Sequence, residues 1–281
     1  MKYAYITCMA MLFIASCTEK KEIPIITPTA PVADLNWRFE STPIWQDDFE
    51  GSTSLDQSKW TYETGGTGWG NNESQFYTAG NNASVENGNL VITAKKELVS
   101  GKSYSSSRIV SRGKGDFLYG RFEVRAKLPR GRGTWPAFWM LPTDNAFGPW
   151  PGSGEIDIME HVGFDQNKIH SSVHCSAYNG SRGNQKSASK IVTGVSDDFH
   201  TYRVDWTPYA VRGYIDNDTE PYFEYTNGNA GFTSWPFNKR FYLLMNIAVG
   251  GNWGGAQGID DNIFPQTMTI DYVRVYKMIE Q

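Results

Sequence analysis

The chain repeats a two-residue alternation of apolar and polar side chains, and this period restricts it largely to β structure. In LYGRFEVRAKL, Leu118, Phe122, Val124 and Leu128 share one face, while charged residues occupy the other. The same pattern recurs along the chain, in residues 89–96, 200–206, 241–251 and 267–276. Asn-Gly and Gly-Gly turn signals separate these segments, and no long amphipathic pattern indicates a helix. Many short strands with frequent turns predict an all-β sandwich.

One predicted strand, EIDIME, carries three carboxylates at uneven spacing. In a regular strand Glu155 and Asp157 share a face, and Glu160 points to the opposite one. Burying Glu160 in the core without a partner would cost several kcal/mol. A β-bulge with Met159 as the inserted residue would instead return Glu160 to the face of the other two acids. The spacing therefore predicts a bulge, although a buried basic partner for Glu160 is an alternative.

Three acids on one face fit the chemistry of a retaining glycosidase. Such enzymes place two carboxyl groups about 5–5.5 Å apart, one as nucleophile and one as general acid. A third acid between them helps to keep one proton in the cluster near neutral pH. A solvated strand face and a calcium site are alternative explanations of the pattern. Zinc and Ser-His-Asp chemistry are disfavoured, because the four histidines form no dense cluster and a nucleophile-elbow motif is absent.

Five sequence blocks in a fixed order resemble glycoside hydrolase family 16, in its laminarinase-like branch. They are WGNNESQFYT, SRIVSRGKGDFLYGRFEVRAKLP, WPAFWMLP, GEIDIMEHVG and LLMNIAVGGNWGG. The resemblance covers most of residues 44–277. It implies a jelly-roll β-sandwich of two antiparallel sheets with a concave sugar cleft. It also implies retaining endo-hydrolysis of a β-linked polysaccharide, namely β-1,3-glucan (laminarin) or mixed-linkage β-1,3-1,4-glucan.

The resemblance assigns roles to individual residues. Glu155 corresponds to the nucleophile, Glu160 to the general acid/base and Asp157 to an assisting acid. The implied sugar contacts are two tryptophans in the cleft floor and six further side chains: Trp135, Trp139, Asn72, Arg112, Trp150, His174, Asn246 and Trp253. For any one tryptophan core packing is the alternative, and it is the interpretation we adopt for Trp45, Trp60 and Trp206. His174 could equally be a core histidine, although it shares a strand face with His170 and Ser172.

The family resemblance further implies a structural calcium and no cofactor for catalysis. The matching calcium residues are Glu50, Gly88 and Asp271, which would bind partly through backbone carbonyl groups. Asp271 could instead be an ordinary acid of an edge strand.

The N-terminus predicts export and lipidation. Lys2 precedes a short apolar run, and small residues stand before Cys17, as in a bacterial lipoprotein cleavage box. We therefore expect a signal peptide at 1–16, a lipidated Cys17 with a flexible tether at 17–41, and one catalytic β-sandwich domain at 42–281. An ordinary signal peptide with a chance cysteine is the alternative. With Cys8 removed and Cys17 acylated, Cys175 would have no disulfide partner.

Charge and motifs limit the partners. The net charge is −4 over 281 residues and no basic tract is present, which argues against nucleic acid. We expect a monomer that binds β-glucan and is held at the bacterial cell envelope, at the outer membrane, by its lipid. Two alternatives remain open. One is the same chemistry on agar, xyloglucan or carrageenan, of which carrageenan is disfavoured by the lack of a basic cluster. The other is a glycan-binding lipoprotein without activity.

Overall fold

A computed structural model describes residues 1, 37–51 and 53–279, and their regular structure is almost entirely β. Short turns connect the strands, and two single-turn 3-10 helices lie at Gly180–Arg182 and Asp261–Ile263. The strands in chain order are β1 Arg38–Phe39, β2 Trp45–Asp47, β3 Thr61–Glu63, β4 Gln75–Tyr77, β5 Ala83–Glu86, β6 Asn89–Ala94, β7 Tyr104–Ser106, β8 Arg108–Val110, β9 Asp116–Phe117, β10 Gly120–Lys127, β11 Thr134–Pro142, β12 Glu155–Glu160, β13 Lys168–His174, β14 Lys186–Ile191, β15 His200–Trp206, β16 Ala210–Ile215, β17 Phe223–Thr226, β18 Phe241–Val249, β19 Gln266–Tyr276 and β20 Met278–Ile279.

Two eight-stranded antiparallel sheets form the sandwich, as the alternation predicts. The first, which we call the outer sheet, has the order β17-β16-β15-β10-β19-β6-β5, with β2 also paired to β19. The second, the cleft sheet, has the order β14-β13-β12-β11-β18-β8-β3, with β9 also paired to β18. Neighbours in the cleft sheet come from distant parts of the chain. Residues near 63, 108, 139, 157 and 246 therefore meet on one surface.

The core between the sheets is aromatic and closely packed. Trp60, Trp206, Phe122 and Phe138 are completely buried, which confirms the core assignment of the first two. Trp45 is only partly buried, and its ring packs edge-on against Trp60 at 5.1 Å between centroids. Full burial of one such side chain contributes about 1.5–3 kcal/mol. The fold is therefore stabilised by its core, and Cys175, the cysteine that the structure describes, is buried as a free thiol.

The folded domain begins before the predicted boundary at residue 42. β1 pairs with β20 through Arg38 and Ile279, so the two ends of the domain lie side by side. The Trp37 ring covers the Arg212 guanidinium at 3.7 Å. The last residues of the predicted 17–41 tether are thus part of the folded domain, because β1 forms a two-stranded sheet with β20 and Trp37 packs on Arg212. The predicted signal peptide and Cys17 lie outside the described residues, among which no helix is long and apolar enough to span a membrane.

Candidate active site

The predicted β-bulge is present in β12 and places three acids on the cleft side. Against β13, Asp157 pairs with Ser172 and Glu160 pairs with His170, so three steps on β12 match two on β13. Against β11, the pairing passes from Asp157 directly to Met159 and skips Ile158. The inserted residue is therefore Ile158 in this register, not Met159 as predicted. Both side chains are buried in the core, which leaves the acids on the opposite face.

The middle acid of the row contacts a histidine on the next strand. His174 of β13 places its Nε2 3.1 Å from Asp157 Oδ2 and 3.8 Å from Glu155 Oε1. Its other ring nitrogen, Nδ1, accepts a hydrogen bond from the Gly180 backbone N–H at 3.0 Å. Within residues 37–51 and 53–279, Glu155, Asp157 and His174 form the one group of three possible metal-ligating side chains, with ligand atoms within 4.8 Å of one another.

Burial and mutual repulsion change the acidity of the cluster. Burial first, and then the negative charge of Asp157, raises the pKa of Glu155 to about 8. The same two causes, with the charge of Glu155 in addition, raise the pKa of Glu160 well above its usual range. Burial acts against a charge on His174, but the contact with Asp157 and the charge of Glu155 outweigh it and raise its pKa to about 10. The cluster therefore retains protons into the neutral pH range.

Indole N–H groups hold the two outer acids of the row. Trp150 donates from Nε1 to Glu155 Oε2 at 2.8 Å, and Trp135 donates from Nε1 to Glu160 Oε1 at 3.1 Å. The Trp135 ring packs edge-on against Trp253 at 5.6 Å between centroids. Each outer carboxyl group therefore has a fixed donor and a defined orientation in the cleft.

A cleft of about 720 Å³ opens in front of these acids. This volume lies within the range typical of small-molecule sites, about 300–1,000 Å³. The cleft wall contains six of the eight predicted sugar-binding side chains: Trp135, Trp139, Trp150, His174, Asn246 and Trp253. His170 and Ser172 line it as well, which confirms that the cleft-facing side of β13 carries His174. Aromatic faces and amide groups on one concave surface suit a pyranose chain.

The sequence and the fold match one family of known proteins. The model for glycosyl hydrolases family 16 matches residues 70–274. A β-glucanase of Rhodothermus marinus is 48% identical over 244 residues, which are 84% of this chain and 85% of that protein.

Comparison with solved structures supports the same family. The laminarinase of Rhodothermus marinus has a TM-score of 0.83 and 46% identity, covering 87% of this chain and all of its own. A non-specific endo-β-1,3(4)-glucanase crystallised with a glucan oligosaccharide has a TM-score of 0.80 and 40% identity, covering 86% of this chain and 95% of its own.

The chain belongs to glycosyl hydrolase family 16. It is a glycoside hydrolase, and its sandwich is the jelly roll of the family 16 laminarinases.

Two predicted sugar contacts of this family 16 enzyme lie outside the cleft wall. Arg112 donates to the Thr143 carbonyl oxygen at 2.9 Å and lies over the Tyr242 ring, so its guanidinium is engaged away from the acids. Asn72 donates from Nδ2 to Asn252 Oδ1 at 2.8 Å. Asn252 lines the cleft, so Asn72 supports the wall rather than forming it.

Sequence reasoning missed a cation in the cleft wall. Arg108 of β8 is 7% exposed, and its guanidinium lies between the rings of Trp69 and Trp139 at 4.6 and 4.7 Å from their centroids. Its Nε donates to Glu63 Oε2 at 2.6 Å. The sequence did mark this residue, because Arg108 is the one charged residue in SSSRIV, among three serines and two apolar residues. Its position between two tryptophans depends on sheet order, which the sequence does not display.

A buried polar network also supports the cleft floor. Trp139 donates to Asn246 Oδ1 at 2.7 Å, and Asn246 donates to the Tyr77 hydroxyl at 3.1 Å. Tyr77 and Gln75 both donate to Glu73 Oε2. Burial raises the pKa of Glu73, which these donors partly oppose. The network connects β4, β11 and β18 and fixes the Trp139 ring.

The predicted calcium residues lie in or beside strands of the outer sheet. Gly88, in the turn between β5 and β6, lies beside Glu50: a Cβ there would be 3.9 Å from Glu50 Cγ. Asp271 of β19 occupies a register irregularity opposite Arg125. Its carboxylate pairs with the Arg125 guanidinium. Glu50 and Gly88 are therefore neighbours, whereas the Asp271 side chain is already engaged by Arg125.

Proposed function

We propose that this chain is an endo-acting, retaining β-glucanase that hydrolyses β-1,3-glucan of the laminarin type, mixed-linkage β-1,3-1,4-glucan, or both. Its family membership supports endo-β-glucan hydrolysis, and the names of the relatives described above include both linkages. The observation that carries the proposal is the bulge in β12. It directs Glu155 and Glu160 into one cleft, each held by an indole donor, with Asp157 between them.

In the first step Glu155 attacks the anomeric carbon while Glu160 protonates the leaving glycosidic oxygen. The charges of the cluster support this division of roles. The charge of Glu155 raises the pKa of Glu160, so Glu155 ionises first and Glu160 retains the proton. The Trp150 N–H fixes the attacking carboxylate, and the Trp135 N–H fixes the acid. The charge of Asp157, which contacts His174 at 3.1 Å, also raises the pKa of Glu160.

In the second step Glu160, now ionised, takes a proton from water as that water attacks the glycosyl-enzyme. The sugar leaves with its original anomeric configuration. We predict a separation of about 5–5.5 Å between the carboxyl groups of Glu155 and Glu160, the value typical of retaining enzymes. The tryptophans of the cleft bind the pyranose faces, and Asn246 and His174 are placed for the hydroxyl groups.

A reducing-sugar assay on laminarin and barley β-glucan tests the proposal. We expect rapid release by the wild type and a loss of about 10³-fold or more in Glu155→Gln, which preserves side-chain shape but removes the nucleophile. Glu123→Gln on the outer sheet is the matched control and should retain full activity. NMR of the first products should show retained configuration, and chromatography should show internal cleavage. Inverted products would refute the covalent route through Glu155.

Another polymer or a purely binding role would give different outcomes. If agar or xyloglucan is cleaved and both glucans are not, the substrate assignment is wrong while the mechanism stands. If the wild type binds laminarin but releases no sugar from any polymer, the chain is a glycan-binding protein.

We further propose a structural calcium at the outer sheet, held by Glu50 and by backbone carbonyl groups of Gly88 and Asp271. The proximity of Glu50 and Gly88 supports it. Calcium should raise the melting temperature of EDTA-treated protein, and Glu50→Gln should reduce that rise. Equal melting temperatures with calcium and with EDTA would contradict the site. Hydrolysis itself uses no cofactor.

We also propose that Cys17 is acylated and anchors a monomeric enzyme at the bacterial outer membrane. The small residues before Cys17 support lipidation. Mass spectrometry of the mature N-terminus should show a diacylglyceryl cysteine, and Cys17→Ser should move the protein from the membrane to the soluble fraction. A mature chain with a free Cys17 thiol would exclude the anchor, and light scattering would check the monomer.

A further inference from the structure

A serine occupies a core position of β13. Ile169, Ser171 and Val173 share the face of β13 that packs into the core, and all three are completely buried. A hydroxyl group in such an apolar environment is destabilising unless it forms a hydrogen bond. An apolar residue would satisfy the alternation of this strand equally well, so packing does not account for the serine.

The Ser171 hydroxyl bonds to the bulge of β12. Its Oγ donates to the Asp157 carbonyl oxygen at 2.7 Å, and the bond is buried. Ser171 is the one residue of β13 between the register partners of Asp157 and Glu160, whereas two residues of β12 separate those acids. A bulge disrupts the ladder at this point, so backbone groups there need side-chain partners. The hydroxyl satisfies one of them, the carbonyl group that joins Asp157 to the inserted Ile158.

A glycine of the outer sheet makes room for this hydroxyl. Gly213 of β16 faces Ser171 across the core, and a Cβ there would lie 3.0 Å from Ser171 Oγ and 3.2 Å from Ser171 Cβ. Both distances are shorter than an optimal contact, so a larger residue at 213 would displace the Ser171 side chain. Gly213 does not adopt a positive φ, so glycine is needed here for space and not for conformation.

We infer that Ser171 is a positioning residue for the hydrolysis: its hydroxyl fixes the bulge of β12 and thereby the direction in which Glu160 enters the cleft. Ile158 and Met159 are both apolar and buried, so packing does not select which of them is inserted. The bond to the Asp157 carbonyl group favours Ile158, because it holds the peptide group immediately before that residue. The inference rests on the proposed function for its effect on activity, whereas the effect on the bulge is independent of it.

The effect on catalysis follows from the short path between this bond and the general acid. Two residues separate Asp157 from Glu160 in the chain. Glu160 Oε1 lies 3.1 Å from its donor, Trp135 Nε1, so a shift of the intervening backbone would change this contact. A displacement of about 1 Å at a catalytic group can cost about 10²-fold in rate. Trp139 and Trp253 of the cleft wall lie outside β12, so sugar binding should change much less.

Three substitutions at position 171 isolate the hydroxyl. Ser171→Ala removes it, and kcat on laminarin should fall by about 10- to 100-fold while KM changes by about threefold at most. Ser171→Thr and Ser171→Val have nearly the same shape and crowd the core equally, but threonine alone retains the hydroxyl. The kcat of Ser171→Thr should therefore exceed that of Ser171→Val by about tenfold or more.

Ser111→Ala is the matched control for the loss of a buried hydroxyl. Ser111 is also completely buried, and its Oγ donates to the Gly115 carbonyl oxygen at 2.7 Å. The same oxygen accepts a hydrogen bond from the Leu243 N–H at 3.0 Å. Ser111→Ala should therefore lower the melting temperature at least as much as Ser171→Ala, and it should leave kcat unchanged because these bonds do not involve β12.

NMR of the full chain reads the bond without any substrate. The Asp157 carbonyl carbon-13 resonance should move upfield in Ser171→Ala and Ser171→Val, because its oxygen loses a hydrogen bond, and it should stay nearly in place in Ser171→Thr. Gly213→Ala should move this resonance in the same direction and lower kcat. That loss of kcat should be smaller in the Ser171→Ala background, because the hydroxyl that the new Cβ displaces is already absent.

Three results would overturn the inference. The first is an equal kcat in Ser171→Thr and Ser171→Val or, if neither folds, a wild-type kcat in Ser171→Ala. The second is a loss of kcat in Ser111→Ala as large as that in Ser171→Ala, which would make the effect one of general destabilisation. The third is an Asp157 carbonyl resonance that does not respond to Ser171→Ala. An inactive wild type whose Asp157 resonance follows the hydroxyl would support the role of Ser171 in the bulge and count against the proposed function alone.

Discussion

The hydrogen bond from Trp135 to Glu160 has a measurable effect whose sign is fixed by the structure. Trp135→Phe retains an aromatic ring in the cleft floor, in contact range of Trp253, but removes the Nε1 donor that lies 3.1 Å from Glu160 Oε1. That donor stabilises the ionised carboxylate more than the neutral acid, so it lowers the pKa of Glu160 against the larger upward effect of burial. Its removal should therefore raise that pKa.

The magnitude follows from the ordinary strength of such a bond. A hydrogen bond to a charged group contributes about 1.5–3 kcal/mol, and the lower value applies here because the cleft is open to water. One pKa unit corresponds to about 1.4 kcal/mol, so the pKa of Glu160 should rise by about one unit. Since Glu160 must be protonated in the first step, activity is lost as pH rises through its pKa. The alkaline limb of kcat/KM should therefore move up by about one pH unit.

The assay is the pH profile of kcat/KM for laminarin, measured for the wild type, Trp135→Phe and Trp253→Phe. Trp253→Phe is the control, because it alters the aromatic contact but leaves the Trp135 N–H in place. A downward shift in Trp135→Phe would mean that water entry dominates and would refute the reasoning. An unchanged limb would show that Glu160 does not govern the alkaline side.

Three further predictions concern the rest of the fold and cleft. His161 is completely buried, burial lowers its pKa to about 4, and neither ring nitrogen has a hydrogen-bond partner among the described residues. The free energy of unfolding should therefore be constant above pH 6.5 and fall by about 3 kcal/mol toward pH 4, because the buried ring must then take up a proton. Urea unfolding should show that this fall is smaller in His161→Phe. Phe138→Ala should destabilise the fold by about 3–5 kcal/mol in urea unfolding at pH 7, because it opens a cavity between the sheets, and a cost under 1 kcal/mol would contradict the packing. Arg108→Ala should raise KM for laminarin about tenfold and change kcat less, because it removes a guanidinium held between two tryptophans. Arg108→Lys should not restore binding, because an ammonium group lacks the flat face that stacks on the rings.

Local periodicity predicted what depends on one strand at a time. The alternation in β10 placed Phe122 and Val124 in the core, and the spacing of EIDIME predicted the bulge. The choice of Ile158 or Met159 as the inserted residue was beyond that reasoning, because both are apolar and both are buried. Only the hydrogen-bond register against β11 distinguishes them.

Features built from several strands were predicted less well. The Arg108 side chain owes its environment to Trp69 and Trp139, which are neighbours only through the order of the cleft sheet. Arg112 is four residues further along, yet its guanidinium reaches Thr143 instead of the cleft. Sequence resemblance identifies a matching block, but it does not tell which side chain of the block faces the cleft.

The cleft concentrates negative charge, and this lowers the free energy of unfolding by an amount that the rest of the fold must offset. The two outer acids of β12 each have an indole donor, the Trp150 N–H for Glu155 and the Trp135 N–H for Glu160, and Asp157 lies 3.1 Å from His174 Nε2. Even so, burial and repulsion raise the pKa of both glutamates, which means that their ionised forms are less stable in the folded enzyme than in water. Replacing Glu155 with the neutral Gln should therefore stabilise the sandwich at pH 8 to 9 while it abolishes hydrolysis. A destabilised Glu155→Gln would mean instead that the Trp150 donor and the cleft wall depend on a carboxylate at that position, and the acids would then contribute to the fold as well as to the chemistry.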